Sequence, residues 1–339
     1  MMQDQSILKK LKFALLGASS ISAQHLLAFE NLKDQCELVD ICDINPEALK
    51  KISLTNNAKL YEDYEIMLSE SKADCVVITT PNGLHAEHSI MAAEAGFHVV
   101  TEKPIATRLE DAKTMVNKFI SLDKLLFVVK QLRFLESVRL SKRALDENRL
   151  GKIYFIGANV FWTRPQEYYD SAKWRGTFKM DGGGALMNQA IHYLDLLQWL
   201  GGSVTEIKSF NKTLARKIEA EDTSINSLKF SSGALGSCNV TMLTYPNNLE
   251  TSITILGEKG SIKIGGKNIN SIQSWILEDI RDYDPKLNLD FEQESCHTIF
   301  YRNVINCLNN NGTPAVDGNE AMKSLELVLA SYQSSQDNA

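Results

Sequence analysis

Long apolar runs are missing from this sequence, and so is an excess of positive charge. No stretch approaches the ~20 consecutive apolar residues that a membrane-spanning helix needs, so no membrane partner is expected. A net charge of −6 over 339 residues lacks the basic footprint of a nucleic-acid-binding protein. Proline is sparse, and neither an internal repeat nor a low-complexity linker is present. The six cysteines (Cys36, Cys42, Cys75, Cys238, Cys296, Cys307) include no C-x-x-C pair. Free buried thiols in a reducing compartment are therefore expected, rather than disulfides or a zinc site. The opening "MMQDQSILKK" lacks the apolar core of a secretory signal, and a cytoplasmic protein is expected. What remains is an ordinary globular composition, 44% hydrophobic and 23% charged, in a chain long enough for two domains.

The first part of the chain alternates short apolar runs, at 13–16, 38–42, 75–79, 98–101 and 125–129, with helical patterns. Strands separated by helices make βαβ units, so residues 1–131 are expected to form a Rossmann domain with a doubly wound parallel sheet. Beyond a helical pattern at 137–148 the character changes. Strand-like runs at 152–162, 224–230, 234–242, 251–256 and 261–264 follow one another with few helices between them. That pattern predicts an α+β domain over residues 132–339 with a large open, mostly antiparallel sheet. Helical patterns at 184–200, 298–309 and 320–331 complete it.

The stretch "KFALLGASSIS" runs an apolar strand into Gly17, where a dinucleotide-binding G-x-G-x-x-G/A fingerprint would lie. Its three positions are Gly17, Ser19 and Ser22, one glycine out of three. Asp43, about twenty residues on at the end of the second strand, suits a pair of adenosine ribose hydroxyls and would repel a 2′-phosphate. NAD is therefore expected over NADP. Thr79, Thr80, Pro81 and Asn82 end the third apolar strand, at the edge where open α/β sheets place ligands. The next strand ends "TEKP", placing Lys103 directly before Pro104. Burial and a nearby nicotinamide cation would lower the pKa of such a lysine and fit it for general acid–base work.

In the second domain, "DGGGALMNQAIHYLDLLQWLGG" passes from three glycines into a helix. Asn188, His192 and Asp195 stand at i, i+4 and i+7, which on a regular helix is one face. One histidine on that face is too few for a metal, His85 and His88 lack further ligands, and no metal is expected. Arg133, Arg164 and Arg175 beside aromatic residues suit phosphates and a carboxylate.

Together, the altered glycine loop, Asp43, "TTPNGLH", "TEKP" and "GGGALMNQAIHYLDLLQWL" resemble the glucose–fructose oxidoreductase/inositol dehydrogenase (Gfo/Idh/MocA) family. The resemblance covers nearly the whole chain. It implies catalytic roles for Lys103 and His192, a cis peptide before Pro104, and homo-oligomers, dimers or tetramers, built on the open sheet. The implied cofactor-binding residues are Gly17, Ser19, Ser20, Ile21, Asp43, Thr79, Thr80, Pro81, Asn82, His85, Glu102, Lys103, Gln131 and Trp162. The implied substrate-binding residues are Lys103, Arg133, Arg164, Tyr168, Tyr169, Trp174, Arg175, Asn188 and His192. "FVVKQLR", "VFWTRPQEYYDSAKWRGT" and "GSCNVTMLTYPNNLETSITILGEKGSI" look like the branch that oxidises C3″ of UDP-N-acetylglucosaminuronic acid. That branch implies NADH re-oxidation by 2-oxoglutarate and a place in the synthesis of bacterial surface polysaccharide. Sugar dehydrogenases outside the branch usually carry Asp where Asn188 stands. Within it, Leu132 and Leu135 replace polar residues, and relatives often continue into a short strand beyond the last helix, where this chain ends at Ala339. A free-sugar or cyclitol dehydrogenase is the alternative enzyme, and a non-catalytic NAD- or sugar-sensing regulator the alternative of another class.

Overall fold

The structure of the protein, a computed structural model, describes residues 10–18, 20–53, 57–266, 268–288, 290–291, 293–310 and 312–337. Ser19 of the glycine loop lies outside the described residues. The chain divides into two compact units. The first runs to Ala106 and adds Glu110–Val129 and Glu294–Glu320; the second comprises Thr107–Leu109, Lys130–Gln293 and the chain from Ala321 onward. The division is thus discontinuous, with a late segment returning to the first unit.

In the first unit the apolar runs become β1 (Leu11–Leu16), β2 (Cys36–Cys42), β4 (Cys75–Ile78), β5 (His98–Thr101) and β6 (Leu126–Val128). An additional strand, β3 (Lys59–Tyr61), joins them. All pairings are parallel, in the order β3-β2-β1-β4-β5-β6. The order reverses between β1 and β4, which opens a crevice at the carboxyl ends of the strands. β4 is buried along its whole length, as a strand covered on both faces must be, and "CVVI" is correspondingly unbroken. β3 was not expected from the sequence because it has three residues, two of them exposed, and so no apolar run. The helix Cys296–Asn310 belongs to this unit, and its Tyr301 packs edge-on against Phe13 of β1 at 5.6 Å.

The second unit holds β7 (Ile153–Phe161), β8 (Val204–Lys212), β9 (Thr223–Phe230), β10 (Leu235–Thr241), β11 (Glu250–Gly257), β12 (Gly260–Gly265) and β13 (Ser271–Leu277). They form one sheet in the order β13-β12-β11-β7-β10-β9-β8. Every pairing is antiparallel except the central β7–β10 pair. Burial alternates along β9 and β10, so one face is covered and the other open. The helix Ile191–Gly201 packs against β7 on the covered side. Phe210, Ile225, Leu235, Leu256 and Ile276 are all exposed, and register places Phe210 opposite Ile225. The edge strands β8 and β13 escaped sequence reading; in β8 only Ser209 is buried, so no apolar alternation marks it.

All six cysteines are free, and burial pushes the Cys36, Cys42 and Cys238 thiols up to about 12. Among the described residues no helix is long and apolar enough to cross a membrane.

Candidate active site

The first unit gathers its chemistry at the carboxyl edge of the parallel sheet. Gly17 follows β1 with φ of 101°, a conformation that disfavours any side chain. A Cβ there would also lie 2.9 Å from the Thr79 carbonyl carbon. The Thr79 hydroxyl sits 2.6 Å from the Gly17 carbonyl, tying the end of β4 to the loop. Gly17 is thus demanded twice, by its backbone angle and by close approach. The loop leads through exposed Ser20 and half-buried Ile21 into the helix Ser22–Asn31. Asp43, at the end of β2, accepts from Ala18 N at 2.6 Å and from Asn45 N at 2.8 Å. It therefore stitches the glycine loop to the β2 turn, and each oxygen keeps a lone pair for a further donor. A tight glycine turn, a helix start and a half-buried carboxylate on the next strand fit a dinucleotide.

The end of β5 carries Glu102 and Lys103, and the Lys103–Pro104 peptide bond is cis, as the resemblance implies. Lys103 is half-buried. Glu102, expected at the cofactor, is itself buried and engaged by protein. Its Oε1 lies 3.1 Å from His25 Nε2 and 3.6 Å from His297 Nε2, and its Oε2 accepts from Lys103 N at 3.1 Å. Tyr301 OH lies 2.7 Å from His25 Nδ1. Burial alone would raise the Glu102 carboxyl, but the two imidazoles hold it well below the usual carboxylate range. Burial pulls His25 below its ordinary value. The ligand atoms of His25, Glu102 and His297 lie within 4.8 Å of one another, a spacing that could hold a metal ion. His25 Nε2 and Glu102 Oε1 already stand within hydrogen-bond distance of each other.

His85, expected at the cofactor, is likewise held by protein groups. It is buried at the start of the helix His85–Glu94, with Nε2 2.9 Å from the Thr80 carbonyl and Nδ1 2.7 Å from the Pro104 carbonyl. Burial, the largest influence, pulls its pKa below the ordinary value against the push of those two carbonyls and Glu102. Thr80 Oγ1 bonds His88 Nδ1 at 3.1 Å, and Asn82 is buried in the turn that follows Pro81.

In the second unit Asn188 and His192 are half-buried and Asp195 is buried. The segment Leu186–Ala190 is a π turn that continues into the helix Ile191–Gly201. Asn188 stands inside the π turn, whereas His192 and Asp195 lie three residues apart on the helix beyond it. Asn188 Nδ2 donates to Asp181 Oδ1 at 2.7 Å, whereas Asp195 accepts Arg133 Nε and Nη2 at 2.7 and 2.8 Å. Lys130 Nζ lies 3.6 Å from Asp195 as well. Arg133, expected at the substrate, is thus buried and holds Asp195 bidentately, beside Trp199. The glycines before the π turn admit no side chain: a Cβ on Gly184 would come 1.9 Å from the Glu221 carbonyl oxygen. Glu221 itself receives Leu186 N at 2.7 Å, and burial pushes its carboxyl up to about 7.

Five predicted substrate residues, Arg164, Tyr168, Tyr169, Trp174 and Arg175, do meet. Tyr168 OH lies 2.8 Å from Arg175 Nη1 and 3.1 Å from Gln189 Nε2, and the Arg175 guanidinium stacks over Tyr168 and Trp174. Arg164 lies over Trp162 and Tyr168 at 5.0 and 5.4 Å. The buried Nε of Arg175 finds no acceptor among the described residues. Tyr169 is buried behind Tyr168, edge-on at 5.1 Å. Trp162 Nε1 donates to Thr251 Oγ1 at 2.7 Å, and Gln131 Oε1 is buried without a donor among the described residues. Leu135 is core and Leu132 half-buried, so the first of these leucines needs no ligand to explain it. Sequence reasoning missed Gln189, Asp181, His25 and His297. Gln189 adjoins Asn188 and Asp181 lies seven residues before it, so both were within local reach; His25 and His297 are joined to Glu102 only across the chain.

Residues 11–130 match the oxidoreductase-family model for the NAD-binding Rossmann fold, and residues 142–339 match the C-terminal alpha/beta domain of the same GFO_IDH_MocA family. The WlbA dehydrogenase of Bordetella pertussis, solved with NADH and UDP-GlcNAcA, is similar with 47% identity and a TM-score of 0.92, covering 98% of each chain. The WlbA dehydrogenase of Chromobacterium violaceum, solved with the same two molecules, has 50% identity and a TM-score of 0.92 over 97% of this chain and 94% of that one. The NAD(+)-dependent scyllo-inositol 2-dehydrogenase of Bacillus subtilis is 26% identical over 283 residues, 81% of this chain and 79% of the relative.

Proposed function

The chain belongs to the Gfo/Idh/MocA oxidoreductase family and is an NAD-dependent sugar dehydrogenase, and from that premise we propose that its substrate is UDP-N-acetylglucosaminuronic acid, oxidised at the C3″ hydroxyl to the 3-keto sugar. The observation that carries this reading is the near-full-length identity of 47% and 50% to two dehydrogenases solved with that sugar nucleotide. The cluster of Arg164, Tyr168, Arg175 and Gln189 supports it, because a guanidinium with an unmet donor, as at Arg175 Nε, suits phosphate and carboxylate oxygens.

When bound, NAD⁺ supplies the hydride acceptor. The glycine-loop amides and Asp43 hold the dinucleotide, and the Gln131 carboxamide oxygen offers an acceptor to an amide donor. Lys103 takes the hydroxyl proton as the C3″–H bond breaks and the carbonyl forms. His192 orients that hydroxyl. Asn188, which cannot take a proton and is held by Asp181, positions the sugar. Arg133 acts through Asp195 to brace the helix that carries His192. We further infer that 2-oxoglutarate re-oxidises NADH, that the keto product feeds surface-polysaccharide synthesis, and that the protein works as a homo-oligomer through its open sheet face.

Incubation of the purified protein with UDP-N-acetylglucosaminuronic acid, NAD⁺ and 2-oxoglutarate is expected to release 2-hydroxyglutarate. Turnover of the sugar nucleotide without 2-hydroxyglutarate would remove the re-oxidant. Folded protein that turns over inositol or free sugars instead would replace the substrate.

A further inference from the structure

His25 and His85 are equally inaccessible, yet their partners differ in kind. His25 faces one group that can donate, the Tyr301 hydroxyl, and one that accepts, the Glu102 carboxylate. A neutral ring satisfies both, with the proton on Nε2. His85 faces two carbonyl oxygens, Pro104 O at 2.7 Å and Thr80 O at 2.9 Å. Carbonyls only accept, so a neutral ring would aim a nitrogen lone pair at one of these oxygens in a buried setting.

We propose that His85 is a buried imidazolium that pins the Thr80 turn to the Lys103–Pro104 turn and so acts as a positioning residue for Lys103. The inference rests on the reading of Lys103 as the proton acceptor. Charges around the ring favour and oppose it in turn. Glu102, ionised and buried in the same corner, supplies the counter-charge. Burial opposes it most and pulls the ring toward the neutral form, and Lys103, His88 and the start of the helix His85–Glu94 oppose it as well. The geometry favours the charge all the same: both ring nitrogens face carbonyl oxygens, and only a doubly protonated ring donates to both, in charge-assisted bonds stronger than neutral ones. The consequence is local. A fixed cation next to Lys103 disfavours a second positive charge, so the lysine keeps the free amine that a base requires. The bridge also joins the end of β4 to the end of β5, the two strand ends that flank the site.

Histidine ring nitrogens of the ¹⁵N-labelled full-length protein report this state directly. Of the six histidines, one is expected to carry protons on both ring nitrogens at pH 7.5, and its signals should vanish in His85→Gln. If no histidine is doubly protonated at pH 7.5, the proposal falls, whether or not the variant folds. In turnover, His85→Gln is expected to move the acid limb of the kcat/KM profile up by roughly one pH unit, since a like charge beside the base is gone. An unmoved limb with lowered kcat would mean a purely structural role and would overturn the positioning of Lys103. Lys103→Met separates the two readings. Full turnover in that variant, with the imidazolium signals intact, would remove Lys103 as the base and leave the charge on His85 standing.

Discussion

At the scale of the residue, what a side chain does here follows from the hydrogen-bonding character of its partners. Glu102, Asp43 and Arg133 look from the sequence like groups offered to a ligand. Glu102 is held by His25 and Lys103 N, Asp43 by two loop amides, and Arg133 by Asp195. His25 provides a test with a defined sign. Burial lowers its folded pKa from 6.5, so above pH 6.5 both folded and unfolded chains carry it neutral and its contribution is complete. Below that value the unfolded chain takes a proton that the folded one refuses, and the contribution is lost as pH falls. His25→Gln should destabilise the protein by about 1–3 kcal/mol at pH 8, through the lost buried hydrogen bonds. The gap between wild type and variant, measured by urea unfolding, should narrow steadily from pH 6.5 downward. A gap that widens on acidification would contradict this account.

At the scale of the element, the π turn at Leu186–Ala190 leads into the helix that carries His192 and Asp195. A regular helix would put Asn188, His192 and Asp195 on one stripe. Asn188, inside the π turn, is held by Asp181, and Asp195, on the helix beyond it, by the buried pair Arg133 and Lys130. Sequence periodicity assumes a constant rise and turn, so it could name these three residues but not separate their partners. Asp195→Asn would leave two buried cations without their carboxylate and should cost about 3–5 kcal/mol. Chemical denaturation would measure it, and a loss below 1 kcal/mol would mean that water or another anion already serves the arginine. The close approach of Glu221 explains the glycines before the turn in the same terms: Gly184 is required by a backbone oxygen, not by a ligand.

At the scale of the whole molecule, the open face of the second sheet exposes Phe210, Ile225, Leu235, Leu256 and Ile276. Apolar residues collected on one sheet face mark an interaction surface, and a second copy of the chain is the proposed occupant. The double variant Ile225→Glu, Leu235→Glu should run as a smaller species than wild type by light scattering, with its far-ultraviolet circular dichroism unchanged. An unaltered mass would send the interface elsewhere.

Much of this protein was determined by its sequence alone. The doubly wound sheet, the open second sheet and the preference for NAD could be read directly. Strands buried on both faces must be unbroken apolar runs, and an NAD site needs its glycine and its acid at strand ends. Short or exposed strands such as β3 and β8 left no such trace. The tertiary structure alone decided the return of the helix Cys296–Asn310 to the first unit, which brings Tyr301 to His25. It also decided the different company kept by His25 and His85. A histidine's charge depends on whether its neighbours donate or accept, and those neighbours lie far away in the chain.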